Sequence, residues 1–547
     1  MTSIDFSIIQ SKNKPTLTLS YLIFRGFMYQ ASKYNLHKVG DNNVQVFGMD
    51  IHNPVFAISA LLILIFVLTT LLLPTEAKSI LESAKSWSIN YFDWFFMVAS
   101  NLFIVFCLAL LVLPLGQIRI GGEKAKPEFS TLSWFAMLFA AGMGIGLMFW
   151  SVAEPIAYFT NWWGTPLNTP AHSEEAREMA MAATLFHWGF HPWAIYAVVG
   201  LSLAFFAFNK GLPLTIRSVF YPLLGERIWG RTGDVIDILA VLATIFGLAT
   251  SLGLGAQQAS SGLNFLFNTP DTITSQIIII VCITSVAIIS VVRGLEGGVK
   301  ILSNINMLLA ATLLLFVIVF GPTLAIVVNV ATTALGYIEN IVPLSNWIDR
   351  EDEKFFHGWT VFYWAWWISW SPFVGLFIAR ISKGRTVREF ISAVLIVPVL
   401  VTLVWMSAFG GNALEQAQVG IGELANGLSS VSLAMFQMLN NLPLTEISSF
   451  IAIVLVLVFF ITSSDSGSLV IDSITAGGKT DAPIPQRIFW ATMEGAIAIA
   501  LLYGGGKQAL STLQAGAIAT GLPFTLIILI MCISLYKGLK EELQLKP

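Results

Sequence analysis

Five tryptophans fall within twelve positions, at Trp359, Trp364, Trp366, Trp367 and Trp370, and the run ends in Ser371, Pro372 and Phe373. An indole face attracts cations better than any other side chain, and several faces together make a cage for a quaternary ammonium group. At about 100° per residue, Tyr363, Trp366, Trp367, Trp370, Phe373 and Phe377 share roughly a third of a helix's circumference. Each desolvated face is worth ~0.5–2 kcal/mol to a bound cation. The competing account is an interfacial aromatic belt, which sits at span ends. It suits Trp359 and Trp364, whereas Trp366 to Trp370 lie near the middle of an apolar run. A second aromatic group precedes it: Trp188, Pro192 and Tyr196 are four apart on one face, with Trp193 beside them, and Pro192 is expected to kink the helix. His187 and His191 are also four apart, but no third metal ligand stands nearby, so they read as hydrogen-bonded core histidines.

Polar chemistry gathers at two further places. Gly142, Gly144 and Gly146 alternate in one span. They allow close helix approach, or they unwind the helix and bare N–H groups toward an anion and carbonyls toward a cation. Near the end of another span, Phe459 is followed by Thr462, Ser463, Ser464, Asp465, Ser466, Gly467 and Ser468. Such hydroxyls commonly bond back to their own helix; alternatively Thr462 and Ser463 join backbone carbonyls around a small hard cation. Asp465 is a functional candidate because ionisable groups are expensive in a membrane, weighed against a role as structural acceptor among the serines. Glu154, just ahead of Pro155, is expected near the outer mouth.

The elements that must position these groups are membrane helices. The chain has 547 residues, 56% hydrophobic and 11% charged, with mean hydropathy +0.77. A span needs about 20 mostly apolar residues, and twelve fit, centred near Leu62, Ile104, Met143, Ile195, Ile245, Cys282, Leu313, Trp367, Val397, Leu457, Ile497 and Leu526. The stretch from about Ala331 to Ile348 reads as a surface helix, and Gly410 to Asn441 as too polar to cross. With alternate loops assigned to the two sides, the 29 Lys and Arg residues divide 23 to 6. The positive-inside rule then puts both termini in the cytoplasm. The glycine run breaks the third span and Ser369 to Pro372 the eighth. Lying five spans apart, they open two five-helix units of opposite topology, the arrangement that places a solute site at the midplane of secondary transporters. The expectation is an all-α integral membrane protein: a cytoplasmic segment 1–50, two helices in 51–130, a first repeat 131–330, a connecting surface helix 331–356, a second repeat 357–536 and a tail 537–547. No cleavable signal peptide is visible, and the three cysteines lack ligand or disulfide spacing. Isolated Asp465, Glu494 and two histidines make no catalytic constellation. No enzyme activity, cofactor or nucleic-acid partner is expected.

At these residues the chain resembles the betaine/choline/carnitine transporter family, over spans one to twelve. The most specific likeness is the run Trp359 to Trp370; Gly142 through Phe149 to Glu154-Pro155, His187-Trp188 to Tyr196, and Thr462 to Gly467 are similar to their counterparts. The resemblance implies two inverted five-helix repeats of the LeuT type behind two extra helices, a homotrimer in a bacterial cytoplasmic membrane, and alternating access. It implies that Trp188, Trp193, Tyr196, Trp366, Trp367 and Trp370 enclose a trimethylammonium or dimethylsulfonium head, with the backbone of Ala141, Gly142, Met143, Gly144 and Ile145 facing the carboxylate. It implies a sodium site from the carbonyls of Ala140, Met143 and Phe459 and the hydroxyls of Thr462 and Ser463. Proton-coupled choline importers resemble this chain but carry an aspartate where Gly146 stands, and carnitine exchangers lack the intact glycine run. Sodium symport of glycine betaine, dimethylsulfoniopropionate or a related onium compound is therefore expected, over sodium-independent exchange or a non-transporting sensor. The family's second sodium site uses two threonines one turn apart. Here Thr244 is followed by Leu248, so Thr244 with Phe373 makes only a weakened version. A long charged tail, found in osmotically activated relatives, is not seen after span twelve, and little tail-dependent osmosensing is expected.

Overall fold

In the computed structural model, which describes residues 39–142, 144–293 and 300–545, the protein is built from apolar helices. Two of them come first: α1 (Asn53–Leu72) and α2 (Pro74–Val112). Then follow α3 (Thr131–Gly142), α4 (Ile145–Phe159), α5 (Glu174–Trp188), α6 (Phe190–Phe208), α7 (Arg231–Phe267), α8 (Ile273–Arg293), α9 (Lys300–Phe320) and α10 (Thr323–Leu344). The second half comprises α11 (Val361–Ile381), α12 (Val387–Gln418), α13 (Thr445–Thr475), α14 (Ile484–Gly505) and α15 (Ala509–Gln544). A hairpin precedes α1: β1 (Asn43–Val46) pairs antiparallel with β2 (Met49–His52). Phe47 and Gly48 turn it with positive φ, as a tight two-residue hairpin requires. Asn43 donates to the Ala476 carbonyl at 2.8 Å, and Gln486 accepts from the Asp50 amide at 3.1 Å. The hairpin is thereby tied to the link between α13 and α14. The remainder of the expected N-terminal segment, 1–38, lies outside the described residues.

Among the described residues, eleven helical stretches are long and apolar enough to cross a membrane. The third expected span is not one of them, because it is divided into α3 and α4. The helix expected from about Ala331 starts instead at Thr323, capped by Pro322, and is long and apolar enough to count. Residues Gly410 to Gln418, expected outside the bilayer, complete α12.

Helix contacts repeat with the halves exchanged. α6 packs on α11 as α12 packs on α4; α7 on α15 as α13 on α9; α14 on α7 as α8 on α13; and α4 on α7 as α11 on α13. The pairs α7–α13 and α8–α14 are their own mates. That pattern is what a two-fold relation between α3–α9 and α11–α15 produces. With an odd number of crossings in each unit, the second runs inverted. The architecture is all-α, two inverted five-helix units behind two extra helices.

The two expected breaks come out differently. Between α3 and α4 the backbone leaves the helix, with Gly144 extended (φ −169°, ψ −176°). The eighth span, by contrast, is helical through Pro372. Proline leaves the carbonyl four residues back without its amide donor, and the Ser371 hydroxyl donates to that carbonyl, Ile368 O, at 2.7 Å. A substitute donor keeps the helix whole. In the fourth span the interruption lies at Gly189, between α5 and α6, rather than at Pro192, which stands in the first turn of α6 where proline is tolerated. The Tyr337 hydroxyl from α10 accepts from the Phe190 amide there at 2.9 Å.

Candidate solute and cation site

The aromatic residues converge as their helix faces require. Trp188 ends α5, Trp193 and Tyr196 belong to the first turns of α6, and Trp366, Trp367 and Trp370 descend one face of α11. Ring centroids lie 4.8 Å apart for Trp188 and Trp367 (80° between planes), 6.2 Å for Trp188 and Trp366 (88°) and 6.1 Å for Tyr196 and Trp367 (86°). Trp366 and Trp367 are stacked at 5.1 Å. All six rings, with Gly144, Gly146, Leu147, Pro192 and Thr402, line one cavity of about 40 Å³. That leaves room for no more than a few water molecules. Gly146 explains how α4 comes so near. A Cβ there would lie 2.7 Å from Trp188 Cη2 and 2.8 Å from Trp366 Cη2.

Four of the five tryptophans are oriented through their indole N–H. Trp366 and Trp370 both donate to the Gly247 carbonyl, at 3.4 and 2.9 Å, and Trp367 donates to the His187 carbonyl at 2.8 Å. Trp188 donates to Glu154 Oε2 at 2.8 Å. Glu154 is not at an outer mouth: α4 continues past it, and it is fully buried. Its Oε2 also accepts from the Tyr363 hydroxyl at 2.5 Å, and its Oε1 from Tyr158 at 2.8 Å and His187 Nδ1 at 2.9 Å. His187 Nε2 meets Thr360 Oγ1 at 3.0 Å, while His191 Nε2 meets Asn101 Oδ1 at 3.0 Å. Both are hydrogen-bonded core histidines. Trp359 and Trp364 are buried too and form no belt. Trp359 packs edge-on against Trp150 and Tyr158, and Trp364 stacks on His191.

A second cavity, of about 120 Å³, is lined by Ala140, Ser303, Asn306, Phe373, Phe459, Thr462 and Ser463, and by Trp370, which also lines the first. Thr462 Oγ1 bonds back to Val458 O at 3.0 Å and accepts from Asn306 Nδ2 at 2.9 Å. Four of the residues expected around a cation, Ala140, Phe459, Thr462 and Ser463, thus border one cavity, and Asn306 adds an amide that nothing in its sequence context marked. Met143 lies outside the described residues. Ala141 and Gly142 end α3, and Ile145 is buried at the start of α4 against Gly255. Thr244 is buried and donates to its own helix's Ala240 carbonyl at 2.7 Å, while Leu248 packs on Gly467 of α13. Phe373 walls the second cavity without Thr244. Thr402 of α12 also lines the first cavity, although as a lone hydroxyl in an apolar run it carries no motif.

The profile of BCCT, betaine/carnitine/choline family transporters, matches residues 54–544. Glycine betaine transporter 1 of Vibrio parahaemolyticus is 62% identical over 93% of this chain and 97% of its own length. The glycine betaine/proline/choline/ectoine transporter of the same organism is 59% identical over 97% of this chain and 96% of its own. The glycine betaine transporter OpuD of Bacillus subtilis is 43% identical over 86% of this chain and 91% of its own.

Proposed function

The chain belongs to the betaine/carnitine/choline transporter family, and from that premise we propose that it imports a methylated onium zwitterion, glycine betaine first, by sodium-coupled symport. The observation that carries the proposal is the pair of cavities that share Trp370, one walled by six aromatic rings and the other bordered by Thr462, Ser463, Ser303 and Asn306 among apolar side chains. Trp188, Trp193, Tyr196, Trp366, Trp367 and Trp370 take the cationic head, and the fixed charge of Glu154 behind Trp188 adds to the attraction. The break at Gly144, with the backbone of Ala141, Gly142, Met143 and Ile145, turns amide groups toward the carboxylate. One sodium ion sits among the carbonyls of Ala140, Met143 and Phe459 and the hydroxyls of Thr462 and Ser463. Since both ligands bear on the same ring, each raises the other's affinity, reciprocally.

The relatives' names support glycine betaine, with choline, proline and ectoine as a wider set. Dimethylsulfoniopropionate is included because a sulfonium offers the rings the same charge. The family resemblance supports a homotrimer in the bacterial cytoplasmic membrane, and the basic-residue bias supports cytoplasmic termini. The test is radiolabelled glycine betaine uptake by the purified protein in liposomes. An inward sodium gradient should drive accumulation, and Thr462→Ala with Ser463→Ala should abolish it. Equal uptake when potassium or a pH gradient replaces sodium would overturn the coupling.

A further inference from the structure

The indole N–H groups of Trp188, Trp366, Trp367 and Trp370 are committed to carbonyls or to Glu154. What the cage can still hold by hydrogen bonds depends on the polar groups left free on its wall. Thr402 of α12 is one of these: it is buried, and it lines the aromatic cavity together with Gly144, Gly146 and Leu147. A threonine inside a membrane helix ordinarily gives its hydroxyl back to the carbonyl four residues earlier. Thr184, Thr244, Thr250, Thr475 and Thr525, all fully buried in helices of this protein, do so at 2.7–2.9 Å. Thr402 departs from that habit, and among the described residues its hydroxyl has no hydrogen-bond partner. The Tyr196 hydroxyl on the same wall is unpartnered too, but it is fully enclosed by its neighbours.

The height of Thr402 decides which end of a solute it meets. α12 packs on α4, and a Cβ on Gly410 would lie 2.7 Å from the Ser151 carbonyl oxygen. Thr402 and Gly144 border one cavity, so the two helices run the same way. At about 1.5 Å of rise per residue, stepping back from Gly410 to Thr402 and from Ser151 to Gly144 covers nearly the same distance. Thr402 therefore stands level with the break between α3 and α4. A Cβ on Gly144 would meet nothing within 4 Å, so the break opens on free space there. A trimethylammonium head carries no N–H and asks for no acceptor, whereas a carboxylate asks for donors. We propose that Thr402 donates its hydroxyl hydrogen to the carboxylate of the solute and so selects zwitterions over bare onium cations. This role rests on the solute reading given above and adds to it a side chain outside the tryptophan, glycine and hydroxyl runs.

The experiment is a calorimetric titration of the purified full-length protein at one fixed sodium concentration. Glycine betaine is compared with tetramethylammonium, which offers the head alone. Thr402→Val keeps the shape and removes the hydroxyl, and should weaken glycine betaine about tenfold, the worth of a hydrogen bond to a charged group. Tetramethylammonium should shift by less than twofold, and Thr402→Ser should return glycine betaine to within threefold of the parent. Glycine betaine affinity unchanged in the valine protein overturns the role. So does an equal loss for both ligands, which marks Thr402 as packing. If tetramethylammonium does not bind the parent measurably, the valine and serine proteins decide alone, and a loss that serine fails to restore refutes the hydrogen bond. If the valine protein does not fold, Thr402→Ala takes its place in the same comparison. A parent protein that binds no glycine betaine overturns the solute reading and this role with it. A parent that binds, beside a valine protein that binds equally well, overturns this role alone.

Discussion

Replacing Glu154 by glutamine separates two things the carboxylate does for the cage. It anchors Trp188 and Tyr363 through Oε2, and Tyr158 and His187 through Oε1. It also places a fixed negative charge behind the aromatic wall. Glutamine preserves the first: its carbonyl can face Trp188 and Tyr363, and its amide can donate to the Tyr158 oxygen and to His187 Nδ1 after a tautomer change. The charge is lost. A cation held against Trp188, within ~6 Å of the ring, lies ~8 Å from a carboxylate bonded to the indole nitrogen. At an effective dielectric constant of ~20, that interaction is worth ~2 kcal/mol, or about thirtyfold in affinity. Glycine betaine titrations followed by tryptophan fluorescence should therefore show Glu154→Gln binding about ten- to thirtyfold more weakly, with little change in thermal midpoint. Glu154→Leu removes the anchor as well and strands the buried Trp188 and Tyr363 donors, at ~1–3 kcal/mol each, while Tyr158 and His187 can still bond each other at 3.1 Å, so its midpoint should fall. A folded Glu154→Gln protein that binds within twofold of the parent would refute the electrostatic contribution.

Trp367→Ala and Trp370→Ala should each weaken onium binding by ~1–2 kcal/mol, read in the same titration; unchanged affinity would move the solute elsewhere. Gly146→Ala drives a methyl into Trp188 and Trp366, an overpacking of ~1–3 kcal/mol, and should lower affinity at least tenfold without blocking assembly. Ser371→Ala leaves the Ile368 carbonyl unmatched and should lower stability by ~1–3 kcal/mol, measured by thermal unfolding in detergent, while glycine betaine affinity stays put. If Ser371→Ala matches the parent midpoint, the substitute-donor account of the unbroken α11 fails.

What could be read from the sequence was what depends on neighbours along the chain. The tryptophan stripe followed from helical periodicity alone, and the break at Gly144 from three alternating glycines. Pro372 misled because proline reports only its missing amide. The hydroxyl that replaces it is one residue away, but its rotamer is a matter of packing. Glu154 was misplaced for the opposite reason. Pro155 suggested a helix end, yet α4 runs on, and three of its four donors come from positions 33, 34 and 209 residues distant. Asp465 stood among serines that looked like ready partners, yet among the described residues none of them bonds its carboxylate oxygens. Long-range polar matching has no periodic signature, and it was there that residue-by-residue inference ran out.

Trp370 forms part of both cavities, with its N–H held by Gly247. One ring thus borders both compartments. Whatever swells one compartment must shrink the other or be matched from across that ring. The transporter then needs no relay between distant sites to tell half-loaded from fully loaded, because a single indole takes the tally.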